Sequence, residues 1–154
     1  MQSLPSHPYK LKPTELAAGL VMVLLLAVGA TAQDNYAQWN YSLNCTLNTT
    51  SSGANVDSNV FNFPVLIRLN AGNFNFAQLI DQTGGTDVRF AKSDGTHLYY
   101  QIERCDPATP DSAELWVLVD TVRANNSTQF IKMYWGKSTA GDSSRPKKFN
   151  ARGH

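Results

Sequence analysis

From Trp39 onward apolar residues return at every second position, and this period constrains the fold more than any other feature of the 154-residue chain. Trp39, Tyr41, Leu43, Cys45 and Leu47 alternate with Asn40, Ser42, Asn44 and Thr46. Successive side chains of an extended strand point to opposite faces, so the alternation predicts a strand with one buried and one wet face. The same reading applies to Phe61, Phe63, Val65, Ile67 and Leu69, to Leu98, Tyr100 and Ile102, and to Phe130 through Trp135. Between them, Ala113, Leu115, Val117 and Val119 alternate with Glu114, Trp116, Leu118 and Asp120. Apolar character on both of those faces predicts a central strand. Pro64 has no amide to donate and predicts an edge strand, a bulge or an unpaired N–H side. A short strand, Asp87 to Phe90, runs into Ser93-Asp94-Gly95, where Asp-Gly predicts a hairpin turn. Residues 48–59, 106–112 and 125–127 read as loops or turns, and 73–80 as a short helical turn or an irregular crossing. Six strands joined by polar turns predict an all-β fold, an antiparallel β-sandwich of jelly-roll-like kind. Such folds generally need one or two strands more, so the sandwich is expected to be incomplete at its C-terminus, with open edges.

The first 32 residues read differently. Lys10 and Lys12 precede an apolar run from Leu16 to Ala30, and Ala30-Thr31-Ala32 follows as an A-x-A pattern. These are the parts of a secretory signal, with cleavage expected between Ala32 and Gln33. The run is about 15 residues, short of the ~20 needed to cross a hydrocarbon core, although an uncleaved anchor is the alternative. Cleavage leaves one domain at residues 33–140 and a tail at 141–154, in a chain that is exported to the periplasm, the cell surface or the medium. The mature chain is expected not to span a membrane.

From Gln33 onward eleven Lys and Arg balance eleven Asp and Glu, but Arg145, Lys147, Lys148 and Arg152 lie in the last ten residues. The body is therefore net acidic, which argues against a nucleic-acid partner, because that affinity comes from clustered cations. Cys45 and Cys105 form an even pair in an exported chain. They are candidates for a disulfide, with two buried free thiols as the alternative.

Catalytic chemistry finds little support. Glu103, Glu114, Asp87 and Asp106 are the carboxylates that a glycosidase pair would draw on, yet solvated strand positions explain them. His97 and His154 are the histidines left after cleavage, and no nucleophile motif accompanies them. Asp81, Asp87 and Asp94 lie near glycine-rich turns but do not follow a calcium-loop pattern. No metal or other cofactor is expected. Five Asn-x-Ser/Thr sequons begin at Asn40, Asn44, Asn48, Asn125 and Asn126, and a polar strand face accounts for them. The most reasonable ligand is carbohydrate, stacked on an exposed aromatic ring. Tyr99 and Trp116 are the candidates for that role, whereas Trp39 and Trp135 are in phase with core residues.

A resemblance then becomes specific. Phe63-Pro64-Val65-Leu66-Ile67-Arg68-Leu69, Asn75-Phe76, Gly85-Thr86-Asp87-Val88-Arg89-Phe90, Tyr100-Gln101-Ile102-Glu103-Arg104, Ala113-Glu114-Leu115-Trp116-Val117 and Met133-Tyr134-Trp135-Gly136 follow in that order. Together they resemble the bacterial domain of unknown function 2341 (DUF2341) over roughly residues 39–140. The resemblance implies a module behind a signal peptide, commonly succeeded by a concanavalin-A-like lectin or laminin-G-type sandwich that lies outside this chain. Some similar proteins carry a proton-channel region. No catalytic residues are established for the family, so none carries over. Two departures stand out: Cys105 occupies a position where the family usually has Trp, and residues 146–154 fit its pattern poorly. The expected function is thus a non-catalytic, exported accessory module associated with polysaccharide or with a downstream lectin-like domain. The alternatives are the periplasmic portion of a proton-channel biopolymer transport protein whose membrane part is missing, and a fragment of a glycan-processing enzyme.

Overall fold

The computed structural model describes residues 34–106 and 112–144. The apolar run Leu16–Ala30, the cleavage position Ala32–Gln33 and most of the basic tail lie outside the described residues. Six strands are present: β1 Tyr41–Thr46, β2 Val60–Asn70, β3 Arg89–Lys92, β4 Tyr100–Asp106, β5 Ser112–Val122 and β6 Phe130–Trp135. Two 3-10 turns, Tyr36–Gln38 and Phe76–Gln78, precede β1 and β3, each capped by an asparagine whose side chain accepts the amide two residues on. Among the described residues no helix is long and apolar enough to cross a membrane.

The strands form two three-stranded antiparallel sheets, ordered β1-β6-β3 and β2-β5-β4. The sheets pack face to face, giving the all-β, sandwich-like fold that the alternation predicts. Ile131, Met133 and Trp135 of β6 and Ala113, Leu115, Val117 and Val119 of β5 are buried, every second residue in each strand. Phe90 of β3 and Tyr100 of β4 close one side of the core, their rings 5.5 Å apart. β5 is central, as expected from its two apolar faces.

Pro64 lies on β2, an edge strand. The Leu118 amide donates to the Tyr99 carbonyl at 2.8 Å, so the backbone of Leu118 faces β4. Its partner across β2 is Pro64. That pair is therefore the non-hydrogen-bonded kind, and the Pro64 nitrogen points to the free edge, where a missing N–H costs nothing.

Three expectations change in the structure. Trp39 is not in the first strand: it follows the first 3-10 turn and is buried as a loop residue. Phe61 and Phe63 are in phase with the inner face of β2 yet are 64% and 48% exposed. Val60, the residue before Phe61, packs against the core and its partner Val122 is buried, while Asn62 between the two phenylalanines takes φ +50°, so the alternation breaks at this end of β2. The Asp94-Gly95 turn does form a hairpin, with the Lys92 amide bonded to the Thr96 carbonyl at 2.8 Å and Gly95 at φ +87°. Yet its two arms join different sheets, and the single bridge Ala91 to His97 is all that pairs them.

The loops at the same end as this hairpin are tied by Thr49. Its buried hydroxyl donates toward the Arg123 carbonyl at 2.6 Å and accepts the Asn126 amide at 2.9 Å, joining the β1–β2 and β5–β6 connections.

Candidate functional site

The charged residues of Gly85-Thr86-Asp87-Val88-Arg89-Phe90 are buried and serve the backbone. Asp87 accepts the amides of Ile80 at 3.1 Å and Gly136 at 2.8 Å on one oxygen, and that of Asp81 at 3.1 Å on the other. It thereby joins the end of the second 3-10 turn to the Met133-Tyr134-Trp135-Gly136 strand end, where Gly136 takes φ +85° and leaves no room for a side chain beside Tyr41. Arg89 lies with its guanidinium among the carbonyls of Thr86 (3.0 Å), Val88 (2.7 Å) and Gly141, the Tyr100 hydroxyl (3.1 Å) and the Asp34 carboxylate (3.0 Å). Trp39 donates its indole N–H to the Asp87 carbonyl, and its ring is approached by Arg89 at 5.7 Å and Lys137 at 4.4 Å. Burial pushes the Tyr100 hydroxyl up to about 12, against the opposing effect of Arg89, so it stays a neutral donor to the Val88 carbonyl at 2.7 Å. Two family-like motifs thus meet in a fully partnered buried network, whose chemistry is that of a fastener rather than a reaction centre.

Asp81 caps the neighbouring turn. The Thr86 hydroxyl and the Gly84 amide are the largest influences, and they hold its carboxyl down at about 2. The depressed value means that Asp81 stabilises the fold above its ordinary value of 3.8 and loses that contribution as pH falls toward 2. Asp81→Asn is accordingly expected to flatten the decline in melting temperature between those two pH values, which a thermal-melt series in acid buffers checks.

Cys45 and Cys105 are free thiols. Cys45 lies on β1 of one sheet, where burial pushes its thiol up to about 11; Cys105 lies on β4 of the other, its thiol directed at the Gln82 carbonyl at 3.6 Å and likewise raised, chiefly by burial. The two cysteines thus lie on strands of different sheets. Glu114 lies between Arg68 at 3.5 Å and Arg104 at 3.9 Å, and Glu103 is the extra residue of a bulge in β4. Among the described residues no three metal-ligating side chains cluster.

What the sheet does bring together is the pair of aromatic candidates. Gln101 and Leu66 flank Trp116 in register, and Tyr99 lies beside Leu118, whose other neighbour is Pro64. All six project from the outer face of β2-β5-β4. Tyr99 is 43% exposed, while Trp116 is half-buried against its neighbours. Diagonal neighbours on one sheet face stand ~7–8 Å apart, which is the relation of Tyr99 to Trp116. Beside Tyr99 lies a cleft of about 300 Å³ lined by Asn62, Thr96, His97 and Leu118. Lys92 and Asp120, 3.1 Å apart, line this cleft and also a second one of about 320 Å³ whose polar wall includes Asp94, Thr121, Arg123 and Gln129. His97 has Tyr36 at 3.0 Å from its Nδ1, and its ring meets Tyr99 edge-on. The clefts and the ion pair were not legible in sequence, because residues from β2, the β3–β4 hairpin and β5 converge there.

Residues 84–149 match the family model described as a domain of unknown function (DUF2341), and over that stretch the chain resembles this family. The matched stretch begins later than the resemblance read from the sequence and runs into the segment read there as a tail. No curated protein and no solved structure matches the chain.

Proposed function

We propose that this domain is a non-catalytic, exported accessory module that holds a polysaccharide chain across the outer face of the β2-β5-β4 sheet. The observation that carries the reading is the diagonal placement of Tyr99 and Trp116 on the outer face of that sheet. Ring faces of this kind cover the apolar C–H face of a pyranose, while Gln101, Asn62 and Asp120 offer hydroxyl partners at the margins. The adjoining clefts extend that surface beyond one sugar. The buried network of Asp87 and Arg89 supports a non-catalytic role, because its polar groups are spent on the backbone. Export rests on the residue pattern before Gln33 alone.

Affinity electrophoresis of the full chain through a panel of neutral and acidic soluble polysaccharides tests the proposal. At least one polysaccharide is expected to retard the chain, and Tyr99→Ala should weaken that retention about tenfold or more, a loss of ~1.4 kcal/mol. Ile80→Ser, which alters an exposed apolar residue elsewhere, should leave retention unchanged. Equal migration in every gel, or retention indifferent to Tyr99, overturns the reading.

A further inference from the structure

Each sheet of this sandwich has two edges, and three of the four carry features that block the addition of another strand. β2 presents Pro64 with its nitrogen outward and Asn62 at φ +50°. β3 is four residues long and ends at Lys92, and β4 is bulged at Glu103 between Ile102 and the charged Arg104. Proline, charge, brevity and bulges are the devices by which edges are kept from pairing. β1 has none of them. Its six residues Tyr41-Ser42-Leu43-Asn44-Cys45-Thr46 include no charge, proline or glycine, and among the described residues only β6 pairs with it.

The phase of its backbone is settled by the Leu47 amide, which donates to the Gln129 carbonyl at 2.8 Å. Odd-numbered residues therefore face β6, and Ser42, Asn44 and Thr46 turn N–H and C=O toward the free edge. Side chains follow the other alternation. Tyr41 and Leu43 share the inner face with Trp135 and Met133 but are 40% and 39% exposed. They are two of the six large apolar residues that the described structure leaves exposed, with Phe61 and Phe63 on an edge strand of the other sheet.

We infer that β1 is the pairing edge for a second copy of this chain, joined antiparallel about a two-fold axis through Asn44. That register sets Asn44 opposite Asn44 and Ser42 opposite Thr46, so outward amides and carbonyls on each strand meet their counterparts. On the inner face it sets Leu43 opposite Cys45 and Tyr41 opposite Leu47, apolar against apolar. Because the strand is uncharged, two identical edges meet without the repulsion that like charges directly opposite would bring. The interface is isologous, so it closes at two copies and joins two three-stranded sheets into one of six strands. The partner copy also brings apolar cover to Tyr41 and Leu43.

Register-specific cross-linking tests this in the full chain carrying Cys45→Ser and Cys105→Ser. Directly opposed hydrogen-bonded residues have Cα atoms ~5.5 Å apart, within disulfide range. Asn44→Cys is thus expected to oxidise to a covalent dimer. Ser42→Cys places its two thiols about four residues apart along the strands, roughly 13 Å, and should not. Leu43→Lys, at an exposed position, should abolish the Asn44→Cys cross-link while leaving the thermal melt intact, whereas Phe61→Lys should leave the cross-link in place. Cross-linking of Asn44→Cys no faster than Ser42→Cys, or cross-linking unaffected by Leu43→Lys, overturns the inference.

Discussion

Arg89→Met is expected to destabilise the domain by about 3–5 kcal/mol, the range for removing one partner from a buried charged network. Methionine fills much of the same volume, so the loss reads out electrostatics and hydrogen bonding rather than a cavity. The carbonyls of Thr86, Val88 and Gly141 and the Tyr100 hydroxyl all lose a donor, and Asp34 loses the cation beside it. Arg89→Lys should recover only part of the loss, because an ammonium is a compact point charge and does not reach acceptors arrayed around a planar fork. Against a total stability of roughly 5–15 kcal/mol, the methionine variant should show a urea midpoint lowered by a third or more, or no cooperative transition at all. A urea curve indistinguishable from that of the unaltered chain would show that the network is not what holds β3 to the segments around it.

Asp87→Ala is expected to have an effect of similar size, about 3–5 kcal/mol, through a different route. Three buried or half-buried amides, those of Ile80, Asp81 and Gly136, lose their acceptor together, and each unsatisfied donor costs about 1–3 kcal/mol. Asp87→Asn separates the contributions. An asparagine oxygen can keep Ile80 and Gly136, which share one carboxylate oxygen, but its NH₂ then faces the Asp81 amide. The asparagine variant should therefore fall between the unaltered chain and the alanine variant in urea unfolding. Hydrogen exchange should localise the new protection loss to the amides of Asp81 and its neighbours. Equal stability of the aspartate and asparagine forms would mean that the charge on Asp87 contributes nothing.

Both residues illustrate how far the sequence could be read. Asp87 was legible only as a carboxylate near a turn, equally suited to calcium or acid chemistry, and Arg89 only as part of a family-like motif. The available signal was local: two charged residues flank Val88 in a short apolar strand, a place where charge is tolerated only when partnered. What satisfies them, however, comes from residues 34, 80, 81, 136 and 141, and no local pattern records such distant partners. Tyr99 and Trp116 could be proposed one at a time, from their phase relative to Tyr100 and Val117. Their diagonal placement needed the pairing of β4 with β5 in its particular register.

The division follows from the range of the forces involved. Alternation in Phe130–Trp135 and Ser112–Val122 determined strands, faces and the central place of β5, because side-chain direction in an extended chain is a property of neighbouring residues. Pro64 likewise narrowed its strand to an edge, a bulge or an unpaired N–H side, because a missing N–H is a local fact, and the sheet order then made it an edge. Tertiary structure alone decided that the arms of the Asp94-Gly95 hairpin part into different sheets, that Phe61 and Phe63 stay exposed, and that β1 keeps one side unpaired among the described residues. Those outcomes depend on which sheet covers which, and burial is settled by the whole packed set of strands rather than by any one of them.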